Sequence, residues 1–174
     1  MKTIPMIFNT EMVKALLDGR KTVTRRPVDE KRSEVIRFMG SSDEECENIE
    51  FLGLDYAKWK DDSGNIKGPE YLVSCTEYPE EGVVPIGQGP ARKGDLIWVR
   101  ETFCHQPCAN APELTVYKSG YPQDELSRYE SIMSESEIKW TPSIHMPRWA
   151  SRLTLRVTDV RIERVQDITE EQAM

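Results

Sequence analysis

Within eight residues, Gly19-Arg20-Lys21-Thr22-Val23-Thr24-Arg25-Arg26, the chain places four cationic side chains and two hydroxyls. Guanidinium and ammonium groups so clustered hold anions, phosphates above all. A hydroxyl beside a lysine can also attack an electrophile, if the lysine takes its proton. Two further places carry polar chemistry. Arg100 and Glu101 are adjacent on a β-rich run, so they face opposite ways. One of them must point inward, where a charge requires a partner. Trp149 lies between Arg148 and Arg152 in His-Met-Pro-Arg-Trp-Ala-Ser-Arg. An aromatic flanked by arginines suits base stacking, or else a packed lid over a core. Trp98 alternates with Ile97 and Val99 and reads as core. Cys104-His105-x-x-Cys108, with Cys46, Cys75 or His145, approaches zinc-ligand spacing but has no second tight pair. We read the four cysteines as mostly reduced thiols and expect no metal and no cofactor.

The elements that must position these groups follow from pattern. Residues 4–8 read as a short buried strand. Asn9 or Thr10 caps a helix whose apolar face holds Met12, Val13, Leu16 and Leu17, and Gly19 ends it. Arg20 and Lys21 then sit where the helix dipole favours cations. Arg25 and Arg26 lie beyond its reach. Asp95–Phe103 reads as the central strand. Short strands are expected at 70–75 and 114–118, with a hairpin around 62–65. Residues 152–165 begin in strict alternation, Leu153, Leu155 and Val157 on one side. Val160 and Ile162 fall out of phase, and a β-bulge or tight turn near Thr158–Asp159 would return them to the same core. The polar stretches 29–50 and 119–136 are expected to be the least ordered. Residues 27–92 read as a polar insertion without apolar mass for a core of its own. Asp167 or Thr169 opens a helix that has room for one turn, so we expect a chain cut within that helix.

With 174 residues and a net charge of −7, the chain has the size of one ordinary domain and is too acidic to coat nucleic acid through bulk charge. No apolar run approaches the roughly 20 residues of a membrane span. No export signal opens the sequence, so a cytoplasmic place without membrane contact is expected. The element pattern gives a mainly β (α+β) fold with flanking helices.

Leu16–Arg26 together with Lys93-Gly-Asp-Leu-Ile-Trp-Val-Arg-Glu-Thr-Phe103 resembles the ASCH domain of the PUA-like superfamily. Its signatures are G-R-K-T-x-T-x-R and G-D-x-(apolar)-x-V-x-E. Residues 142–173 are similar to the closing part of ASCH proteins of phages and prophages. The resemblance covers about 80 residues in three blocks and leaves 27–90 uncovered. It implies a small PUA-like β-barrel with an irregular insertion, and a cleft lined by the signature. It also implies a ligand of RNA or nucleoside type, held by Arg20, Thr22, Arg25, Arg26, Arg100 and Trp149. One branch of the family hydrolyses N4-acetylcytidine with a lysine, a threonine and a glutamate. The signature puts the first two at Lys21 and Thr24. The position matching the acid falls beyond Met174, and Glu101 is the next candidate. Three readings stand: a recognition module for RNA or a nucleoside, an amidohydrolase on acylated cytidine, and a phage factor that binds a phage or host protein without catalysis.

Overall fold

The computed structural model describes residues 1–38, 45–55, 59–60, 63–107, 113–126, 133–164 and 168. Among them the chain runs β1 (Thr3–Ile7), α1 (Thr10–Leu17), α2 (Glu30–Arg37), β2 (Ile49–Asp55), β3 (Trp59–Lys60) and β4 (Ile66–Lys67). It continues β5 (Glu70–Cys75), β6 (Val83–Pro85), β7 (Leu96–Arg100), β8 (Phe103–His105), β9 (Thr115–Tyr117), α3 (Gln123–Leu126) and β10 (Thr154–Arg156). The fold is mainly β with flanking helices. The described strands form two sheets of three strands and two of two, and none of these closes into a barrel. No described helix is long and apolar enough to cross a membrane.

Two compact units divide the chain. The first comprises Met1–Arg25 and Gly94–Arg156. Its main sheet has the order β1-β7-β10, with β1 parallel and β10 antiparallel to β7. The β-forming run of 96–100 therefore takes the central place, as its pattern predicts. Ile97 and Val99 are buried. Ile4 and Met6, their partners on β1, are half-buried on the same side, and Leu155 joins them opposite Ile97. The strand expected to be buried at 4–8 is instead a half-exposed edge, and only Phe8 is enclosed. A second small core joins Phe103, Met146 and Ala150, with Tyr117 against it.

α1 begins at Asn9, whose side chain accepts from the Met12 amide, a cap worth about 1 kcal/mol. Val13 is its buried anchor. It ends through Gly19, whose φ of +73° suits a residue without Cβ. The chain then doubles back, and the Lys21 amide donates to the Ala15 carbonyl at 2.9 Å.

The second unit comprises Arg26–Lys93 and Val157–Met174. It covers nearly the residues expected as a coreless insertion, and that expectation is corrected. Ile36, Tyr71, Val73, Val84 and Ile86 form a buried cluster there with Cys46 and Cys75. The apolar residues are few but lie at strand period on β5 and β6, which concentrates them on one face. Each such side chain, once buried, contributes about 1.5–3 kcal/mol. Val160 and Ile162 pack against this cluster. Their change of phase after β10 therefore marks a passage into the second unit, not a bulge. The polar run from residue 29 also proves partly regular. Asp29 caps α2 by accepting from the Arg32 amide, and Ile36 is the buried residue that fixes its face. The reading of mostly reduced thiols is corrected as well, because Cys46 and Cys75 form a disulfide. The remaining part of the low-order expectations, at 39–44 and 127–132, and the expected terminal helix at 169–174 lie outside the described residues.

Candidate nucleic-acid interface

The strands β1, β7 and β10 contain no carboxylate. On the side of their sheet away from Ile97 and Val99, the register sets Pro5, Trp98 and Thr154 in one row. Ile7 and Arg100 form the row above it, and Thr3, Leu96 and Arg156 the row below. Trp98 thus lies on the face opposite the buried Ile97 and Val99, and the reading of it as core is corrected. The guanidinium carbons of Arg100 and Arg148 each stand 5.6 Å from its ring centroid. A tryptophan ring attracts a cation through its negative face, by about 0.5–1 kcal/mol at an exposed site. Trp98 is therefore a mount that holds two cations on one face. Arg100 also donates to the Ile144 carbonyl, and Arg148 to the Thr154 hydroxyl at 3.4 Å. Arg156 is exposed on the same face.

Trp149, next to Arg148 in the chain, is 64% exposed. The segment that carries it is pinned on both sides. Met146 and Ala150 are buried. The Tyr117 hydroxyl donates to the Ala150 carbonyl at 2.8 Å, and the Ser151 hydroxyl to the Val99 carbonyl at 2.8 Å. A single 3₁₀ turn, Arg148–Ala150, spans the gap and turns Arg148 and Trp149 outward. His105 meets the Trp149 ring at 73°, centroids 4.8 Å apart, and its Nδ1 lies 2.9 Å from the Thr115 hydroxyl. Of the two sequence readings for Trp149, the packed lid is set aside by this exposure.

Beneath the turn lies a buried ionic network. Glu101, 2% exposed, is the inward-facing member of the Arg100–Glu101 pair. Arg152 meets it from both nitrogens, Nε to Oε1 at 3.0 Å and Nη2 to Oε2 at 3.3 Å. The Ser119 hydroxyl donates to Oε2 at 2.5 Å and accepts from Arg152 Nη2 at 2.8 Å. Asp124 takes a fourth bond from Arg152, at 3.2 Å. The Tyr117 ring lies 4.2 Å under the guanidinium. Burial opposes the charge of Arg152, but Glu101 and then Asp124 outweigh it and hold the guanidinium above its ordinary range. Burial pushes the Tyr117 phenol up; Arg152 pulls it down, and Glu101 adds to the rise. A Cβ at Gly120 would stand 1.8 Å from the Asp124 carboxylate, which would have to shift away from it.

The signature residues divide. Arg20 is turned to Asp18, with its Nη2 2.8 Å from the carboxylate. Thr22 is exposed, and Lys21, Thr24 and Arg25 are half-buried in the first unit. Arg26 opens the second unit. The segment from Lys21 to Asp29 is neither helix nor strand, so the straight-strand alternation that would part Lys21 and Thr24 does not hold there. Glu101 has both oxygens engaged by Arg152 and Ser119, the bonding of a structural carboxylate. Cys104 is buried, and burial pushes its thiol up, against a role as a ready ligand. His145 is exposed on a 3₁₀ turn, and Cys108 lies outside the described residues.

Sequence reasoning missed Tyr117, Ser119 and Asp124 entirely. No local pattern links them to Glu101, and the pairing with Arg152 spans 51 positions. Arg156 was legible. The alternation that sends Leu153 and Leu155 inward sends Thr154 and Arg156 to the other face. Comparison with known proteins finds no matching family, no matching characterised protein and no matching solved structure.

Proposed function

We propose that the chain recognises a short single-stranded RNA segment or a nucleoside-type ligand on the arginine–tryptophan face of its first unit. The observation that carries this reading is the mounting of Arg100 and Arg148 on Trp98, with the exposed ring of Trp149 next to Arg148 in the chain. A base stacks on an aromatic face whatever its identity, and guanidinium groups take the phosphates. The resemblance to ASCH domains points to the same ligand class and adds Lys21, Thr24 and Arg25 as further ligand-facing groups. A PUA-like architecture belongs to this proposal, supported by the G-R-K-T-x-T-x-R match directly after α1. An experimental structure with a closed barrel tests it.

The functional test is fluorescence anisotropy with a labelled single-stranded oligoribonucleotide. Trp149→Ala removes one stacking platform and is expected to cost about 1–3 kcal/mol of binding. Arg148→Ala is expected to weaken binding and to lower its salt dependence. Affinity unchanged from that of the parent chain in both variants overturns the proposal. Acetate release from N4-acetylcytidine, lost in Thr24→Ala, would replace it with the amidohydrolase reading. Failure to bind any nucleoside or RNA would leave the protein-binding phage factor.

A further inference from the structure

Cys46, Cys75 and Glu77 bring two sulfurs and a carboxylate oxygen within 4.8 Å of one another in the second unit. The two cysteines are 2% exposed and joined as a disulfide across a sequence separation of 29. Glu77 is exposed, yet its carboxylate is fixed. One oxygen accepts from the amides of Glu47 at 2.8 Å and Asn48 at 3.3 Å. The other accepts from the Asn48 side chain at 2.6 Å. A carboxylate oriented in this way resembles a metal ligand held by its surrounding shell. A depression of about 220 Å³ lies among its sequence neighbours and is lined in part by Glu47, Asn48, Thr76 and Arg164.

We infer that, once the Cys46–Cys75 bond is opened by a dithiol reductant, this corner binds a thiophilic divalent cation of zinc type through two thiolates and the Glu77 carboxylate. The redox step is a thiol–disulfide exchange. The dithiol supplies two electrons and two protons and becomes a disulfide, while the protein gains two thiols. The cation then displaces both thiol protons into the buffer. Two thiolates and a carboxylate suit zinc, and water from the exposed side completes four-coordination. The three anionic ligands exceed the charge of a divalent cation by one. Arg164 donates to the Cys46 carbonyl and acts on Glu77 through its charge, so it offsets that excess and favours the thiolates. The bound and oxidised forms exclude each other, since the same sulfurs serve both.

The full chain, reduced with dithiothreitol under argon and freed of reductant, is titrated with cobalt(II). The expected result is one cobalt per chain, with thiolate charge-transfer absorption and tetrahedral d–d bands, displaced by zinc and lost on oxidation. Cys75→Ser should abolish the spectrum. Glu77→Gln should weaken binding by about 10–100-fold, which a site built on Cys104 and Cys108 would not share. If reduction alone unfolds the second unit by circular dichroism, zinc must restore its signal. No stoichiometric uptake by the reduced chain, uptake indifferent to Cys75→Ser, or an unfolded reduced chain that zinc does not restore overturns the inference.

Discussion

At the scale of single residues, Glu101 and Arg152 decide most. Burying a carboxylate costs several kcal/mol, and the two-nitrogen contact from Arg152 offsets that cost only while both partners are present. Arg152→Met is expected to destabilise the protein by about 3 kcal/mol, at the low end for a broken buried pair because its side chain is 25% exposed. The pair Glu101→Leu with Arg152→Met should cost clearly less than the two single changes added, since neither charge is then stranded. Urea unfolding of the four proteins closes that cycle, and strict additivity would show that the two side chains are not coupled. Glu77 gives a second residue-scale outcome. The Glu47 amide, with Asn48, holds its carboxyl below the ordinary glutamate range. Its contribution to stability is thus present above that range and is lost as pH falls through the lowered folded value. Glu77→Gln should flatten the acid limb of the stability–pH curve and leave the slope at neutral pH unchanged. An unaltered acid limb would count against this assignment.

At the scale of elements, β7 and the turn at 148–150 show what a sequence can disclose. The alternation of β7 is local, so its central place and the opposite facing of Arg100 and Glu101 were both readable. The exposure of Trp149 was left open because it depends on what pins the flanks. Met146, Ala150 and Ser151 are held by Val99, Phe103 and Tyr117, residues 29–52 positions away. The second unit was misread for a related reason. Its apolar residues are sparse along the chain and become a core only when β5, β6, α2 and the segment after β10 come together. Ile162 tests that account. Ile162→Ala is expected to destabilise by about 1–2 kcal/mol, less than a fully buried isoleucine because it is half-buried. Amide exchange should quicken along β5 and β6 while β7 keeps its protection. Equal loss of protection along β7 would place Ile162 in the core of the first unit, as a bulge or turn near Thr158–Asp159 would have done.

At the scale of the whole molecule, charge sets the limit on what the arginine–tryptophan face can hold. The chain carries a net charge of −7, so a long polyanion meets repulsion wherever it leaves the basic face. Three arginines, Arg100, Arg148 and Arg156, offer phosphate contacts there. For a single strand, three neutralised phosphates give a slope of log affinity against log salt near −2. Binding is therefore expected to be modest in salt dependence and short in reach. Extending the ligand from a tetranucleotide to roughly twenty nucleotides should raise affinity only by the number of registers available, with the slope unchanged. Arg156→Ala should reduce that slope by about one contact's share, roughly 0.7. Anisotropy titrations across a salt series measure both quantities. A slope that steepens with ligand length would mean that further cations, outside this sheet face, take part in binding. The face would then be one end of a longer track, and not the whole of the site.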